Sequence, residues 1–142
     1  MSKPHARPYG DCYEVSLQRA EELQFVKESV EGGLPNAAEV RNIYDGLGLH
    51  RAVSVVHGTA VPPDGLDRGR TILHAWVEVG DEVLEMSNNQ SLRFQRDDYY
   101  DTHGIVPVVR YAPAEARRLA EKHGAFAPWH TLPAIESPPD KA

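Results

Sequence analysis

Cys12, His74 and Glu85 are the residues whose types and spacing could do chemistry in this chain. Cys12 is the only cysteine, and the Gly10-Asp11 pair before it, ahead of a run of helically spaced apolar residues, puts it at a helix start. A thiol there meets the positive end of the helix dipole and unpaired N–H groups, which favour thiolate over thiol. His74 opens an alternating segment that Gly80-Asp81 folds back on itself, since a two-residue turn of this kind matches the twist of paired strands. With that turn, Val79 faces Glu82, Val77 faces Leu84 and Ala75 faces Met86, one apolar face shared with Leu73. The other face carries Trp76 across from Glu85 and His74 across from Ser87. Side chains offset by two on neighbouring strands lie about 7 Å apart, so His74 and Glu85 can hydrogen-bond. A one-residue slip would drive Glu85 into the apolar layer, which argues for this register.

The chemistry these types allow is nucleophilic catalysis. Cys12 is the nucleophile and His74 moves its proton, then protonates the leaving group. Glu85 fixes the imidazole in one tautomer, with Ser87, Asn88 and Asn89 as alternative orienting groups. Trp76 can shield the ring's hydrogen bond, and His57, before Gly58 at a strand end, is either a turn residue or part of the cleft lining. The backbone N–H of Cys12, at a helix start, offers half of an oxyanion hole. Cys12, His57 and His74 also offer zinc ligands, but no Cys-x-x-Cys or His-x-x-x-His pair accompanies them. Asp97, Asp98 and Asp101 lack the spacing of a calcium loop. The expectation is therefore an enzyme needing no metal or other cofactor.

Several elements must position these groups. A helix from Cys12, capped by Asp11 with Glu14 reaching back, buries Tyr13, Leu17, Ala20, Leu23 and Val30, with Val26 or Phe25 between. It stops at Gly32-Gly33. Asn36 and Glu39 cap a second helix whose buried stripe is Val40, Ile43, Tyr44 and Leu47. Strands follow at Ala52 to Thr59, Arg70 to Val79, Glu82 to Ser87 and Val106 to Tyr111, with a helical turn between Arg96 and His103. Tyr99 and Tyr100 cover the core. Pro113 opens a last helix that stops at Gly124. Together they make an α+β fold, an N-terminal helix carrying Cys12 packed on an antiparallel sheet. Residues 1–132 form one domain, with Trp129 as an anchor and 133–142 as a loose, Pro-rich tail.

With 142 residues and 41% hydrophobic content the chain can build one real core. Its formal charge of −6 argues against nucleic acid as a partner, and Arg117, Arg118 and Lys122 read as a solvated helix face. No apolar run approaches the roughly 20 residues that span a bilayer, and Met1 to Gly10 carries no signal-peptide core. A single thiol and no disulfide fit a reducing cytoplasm. The expected partner is a peptide, protein or small acyl substrate, and oligomeric state is not legible.

A cysteine at a helix start, followed by histidine and an acidic residue on adjacent antiparallel strands, resembles the papain-like and transglutaminase-like superfamily of cysteine hydrolases. The chain is more closely similar to a group of small bacterial and phage proteins. That likeness covers Cys12-Tyr13-Glu14, Val56-His57-Gly58, His74-Ala-Trp-Val-Glu-Val-Gly-Asp, Ser87-Asn88, Tyr99-Tyr100, Arg110-Tyr111, Glu115-Ala116-Arg117 and Pro128-Trp129. The resemblance implies a papain-like core and acyl chemistry at a thiol, leaving protease, amidase, deamidase and transglutaminase open. Two departures stand out: the group has Asp where this chain has Glu85, and its Gly-His-Tyr-Gly-Pro-Trp ending is only partly kept around His123 to Trp129. A non-catalytic interaction protein on the same frame is the second expectation, and a zinc module the third.

Overall fold

The computed structural model describes residues 7–33, 38–85 and 92–124. In chain order these form α1 (Arg7–Glu31), α2 (Ala38–Leu47), β1 (Val53–Ala60), β2 (Ile72–Val79), β3 (Glu82–Glu85), β4 (Leu92–Gln95), α3 (Arg96–Thr102), β5 (Val106–Tyr111) and α4 (Pro113–His123). The strands make one antiparallel sheet in the order β4-β3-β2-β1-β5, so the fold is α+β. Among the described residues no helix is long and apolar enough to cross a membrane.

The β2–β3 hairpin has the expected register, with Val79 opposite Glu82 and Val77 opposite Leu84. Gly80 in the turn adopts φ 58°, a left-handed conformation that costs glycine little. Because successive side chains alternate across a strand, the sheet has two distinct faces. Val53, Val55, Val77, Val79, Leu84 and Tyr111 form the main core with Leu17, Ala20 and Leu23 of α1 and Ala116 and Ala120 of α4. On the opposite face Val56, Ala60, Trp76 and Val83 pack with Tyr99 of α3 and with Ile105.

Several expectations need correction. Helix α1 begins at Arg7, so Cys12 lies in its second turn and Asp11 is inside the helix rather than its cap. Pro8 does not prevent this, because proline is tolerated in the first turn, where its missing N–H has no helical partner. Glu14 does not reach back either; it accepts a hydrogen bond from Gln18 one turn on. Val26, not Phe25, faces the core, and Phe25 is exposed. The stripe of α2 is shallower than expected: Tyr44 and Leu47 lean on the core while Ile43 is exposed. Strand β4 was not foreseen. Arg117 is not simply solvated, since its guanidinium makes a bidentate pair with Glu21 at 2.7 Å and ties α4 to α1. Asn36, Met86, Ser87, Asn88, Asn89, Trp129 and the expected tail lie outside the described residues.

Candidate active site

Helix α1 carries Cys12 against the strand that carries His74. Cys12 clusters with Tyr13 and with Ala75 and Leu73, the two residues flanking His74 in β2. The buried hydroxyl of Ser16 donates to the Cys12 carbonyl at 2.5 Å, which pins this turn of the helix. The Cys12 side chain hydrogen-bonds with His74. Cys12 itself is only 1% exposed. Its position inside α1 also removes one expected role: an N–H in the second turn points at the carbonyl four residues earlier. It is not an open oxyanion donor, and the helix-start argument for its reactivity does not hold.

His74 is anchored from the other side. Its Nε2 lies 2.8 Å from Glu85 Oε2 and 3.1 Å from the Tyr99 hydroxyl. The Tyr99 O–H donates to the same Glu85 oxygen at 2.6 Å. Burial and the charge of Glu85 push the Tyr99 phenol well above its ordinary pKa, so it remains a donor. Since Glu85 only accepts and Tyr99 spends its proton on Glu85, Nε2 must carry hydrogen. Nδ1 is then the ring atom left to exchange a proton with the thiol. Both side chains are largely enclosed, 14% exposed for His74 and 13% for Glu85.

Burial on its own would strip the proton from His74. Hydrogen bonds and charge from Cys12 and Glu85 outweigh it and raise the ring to a pKa of about 10. A ring held protonated at neutral pH is a ready acid. It should titrate by NMR near that value, not near 6.5. The linked stability is fully present below about pH 6.5, where folded and unfolded chains both carry the proton. It falls as pH rises toward about 10, on the order of 1 kcal/mol per pH unit. Urea midpoints of the wild type and His74→Gln should therefore converge at alkaline pH.

Trp76 is buried and stacks on the His74 ring, with centroids 5.5 Å apart and planes inclined by 30°. His57 does not line an open cleft. It is fully buried on the α1 face of β1, edge-on to Tyr13 and Tyr111. Its Cα partner is Ala75, so it points away from the His74 side of the sheet. Among the described residues no group of three or more His, Cys, Asp or Glu side chains is placed to hold a metal ion. Ser87 and Asn88, offered as supporting residues, fall outside the described residues together with Asn89.

Sequence reasoning passes over the contacts of two residues beside His74. The sequence places Tyr99 over the core; it lies there and also hydrogen-bonds with both His74 and Glu85. Glu78, 2% exposed, sits on the same face of β2 as His74 and Trp76 and gathers Trp76, Tyr100, Arg110 and Arg96 around it. The spacing 74, 76, 78 along one strand was the available signal. Set beside known proteins, the chain matches no protein-family model, no curated protein and no solved structure at a significant level.

Proposed function

We propose that the protein is a thiol-dependent hydrolase or acyl-transferase acting on an amide, isopeptide or ester bond of a peptide, protein or small acyl substrate. Cys12 is the nucleophile, His74 the acid–base and Glu85 the orienting carboxylate. The observation that carries this is one imidazole held between a thiol and a carboxylate, with Nε2 fixed 2.8 Å from Glu85. In the forward step the sulfur attacks the carbonyl carbon, forming a C–S bond. His74 protonates the leaving amine or alkoxide as the C–N or C–O bond breaks, leaving a thioester. Water or an acceptor amine then attacks, His74 takes its proton, and the thiolate departs. A papain-like arrangement of helix and hairpin is the frame this chemistry would use, and a reducing cytoplasm would keep the thiol competent.

A second reading has its own support. Cys12 is 1% exposed, which fits a non-catalytic interaction protein with a polar core on the same frame. Iodoacetamide alkylation of Cys12, followed by intact mass, separates the two. The enzyme reading expects wild-type labelling at neutral pH at least about tenfold faster than in His74→Ala, with both variants folded by circular dichroism. Equal rates in the two proteins, or no labelling of either until denaturant is added, would establish the non-catalytic reading.

A further inference from the structure

Glu78 is a fully buried carboxylate on the sheet face that holds His74, and the proposed chemistry assigns it no role. Its Oε2 accepts the Trp76 indole N–H at 2.9 Å and the Tyr100 hydroxyl. Its Oε1 accepts Arg110 Nε at 3.1 Å and faces Arg96 Nη1 at 3.7 Å. Arg110 also donates to the Tyr100 hydroxyl at 2.8 Å. Burying a carboxylate this deeply is costly unless its lone pairs are matched, and here they are. Replacing an ion pair of this kind by apolar side chains is often neutral or stabilising, so stability alone is a weak reason for its presence.

What Glu78 does geometrically is fix an indole. Trp76 has one donor, and that donor ends on Glu78; the rest of the ring stacks on His74. Tyr99 and Tyr100, consecutive in α3, donate to Glu85 and Glu78 respectively, so one short helix is stapled to both carboxylates. We infer that Glu78 is a positioning residue: it locks Trp76 as the wall of the His74–Glu85 hydrogen bond, keeping water from it and the ring in one orientation. This rests on the reading of His74 as the acid–base of the site, and its physical content is the strength of a shielded charge-assisted hydrogen bond.

Among the described residues, the titratable and charged groups that face His74 are Cys12, Glu85 and Tyr99; those that face Glu78 are Arg96, Arg110 and Tyr100. Two variants separate positioning from simple charge. Glu78→Gln keeps the shape and an acceptor but loses the ion pairs. Trp76→Phe keeps the Glu78 charge but removes the anchored indole. The ring titration of His74, followed by NMR in the full chain, is expected to fall by about one unit in both. Cys12 alkylation at neutral pH is expected to slow about three- to tenfold in both. Lowered thermal midpoints with the His74 titration unmoved would overturn the inference and leave Glu78 purely structural. A shift in Glu78→Gln without one in Trp76→Phe would overturn it in favour of a direct charge effect. Because the titration needs no turnover, it decides the role of Glu78 even if Cys12 labelling proves independent of His74, the outcome that defeats the enzyme reading alone.

Discussion

Gly58→Ala will cost about 3 kcal/mol of stability, more than any surface substitution in this chain. Gly58 lies in β1 directly opposite His74, beside an irregularity where the pairing with β5 shifts between His57 and Gly58. A Cβ there would overlap the Val106 carbonyl oxygen and sit 2.9 Å from Pro107 Cα, both backbone atoms of β5. Neither can retreat without breaking the ladder that holds the edge strand. The same Cβ would come within 3.1 Å of Trp76 Cη2, crowding the indole that stacks on His74. The damage therefore has two measurable parts: a lower urea midpoint, and a displaced His74 titration in whatever remains folded. Gly46→Ala is the control, since it has open space around it and lies within α2. That variant should change stability by under about 1 kcal/mol, in the stabilising direction, because alanine is the better helix former. A Gly58→Ala midpoint within experimental error of wild type would mean that β5 is not packed against β1 as described.

The parts of the fold written in local pattern could be read from the chain. The hairpin register follows from alternation around Gly80-Asp81, and α4 is bounded by Pro113 and by Gly124 at φ 65°. The start of α1 was not legible because Gly10-Asp11 looks like a boundary, whereas helix entry actually occurs at Arg7. Strand β4 is four residues long and mostly exposed, too short for its alternation to register. The polar face of β2 raised a different problem. Alternation says that Glu78 and Glu85 lie opposite the apolar face, but not whether that face is wet or covered. Here α3 lies over it, turning residues that look solvent-facing into buried acceptors for Tyr99 and Tyr100. His57 was ambiguous for the same reason: a histidine at a strand end gives no local sign that two tyrosines will enclose it. The partnership of His74 and Glu85 was legible because both belong to one hairpin. That of Tyr99 was not, because it depends on where a separate helix lands.

Glu85→Gln should lower the neutral-pH reactivity of Cys12 about tenfold while leaving the chain folded. The amide has nearly the shape of the carboxylate, and its oxygen can still accept from His74 Nε2 and Tyr99. The ring therefore keeps its tautomer and its place. What disappears is the negative charge that, together with Cys12 and against burial, holds the imidazolium at a pKa of about 10. The His74 titration should then move down toward its ordinary value near about 6.5. Reactivity that is flat across neutral pH in the wild type should become pH-dependent in the variant. Tyr99→Phe provides the contrast. It removes one donor to Glu85 and leaves the charge, so the loss should be only a few-fold, of the size of one hydrogen bond. Glu85→Asp retains charge but withdraws the oxygen by one methylene, stretching contacts now at 2.8 and 2.6 Å, and should fall between the two. The ordering Gln, then Asp, then Phe in severity is what charge-dominated orientation requires. Should Glu85→Gln alkylate at the wild-type rate with His74 still titrating near about 10, the carboxylate is a bystander, and the ring owes its proton to Cys12 alone.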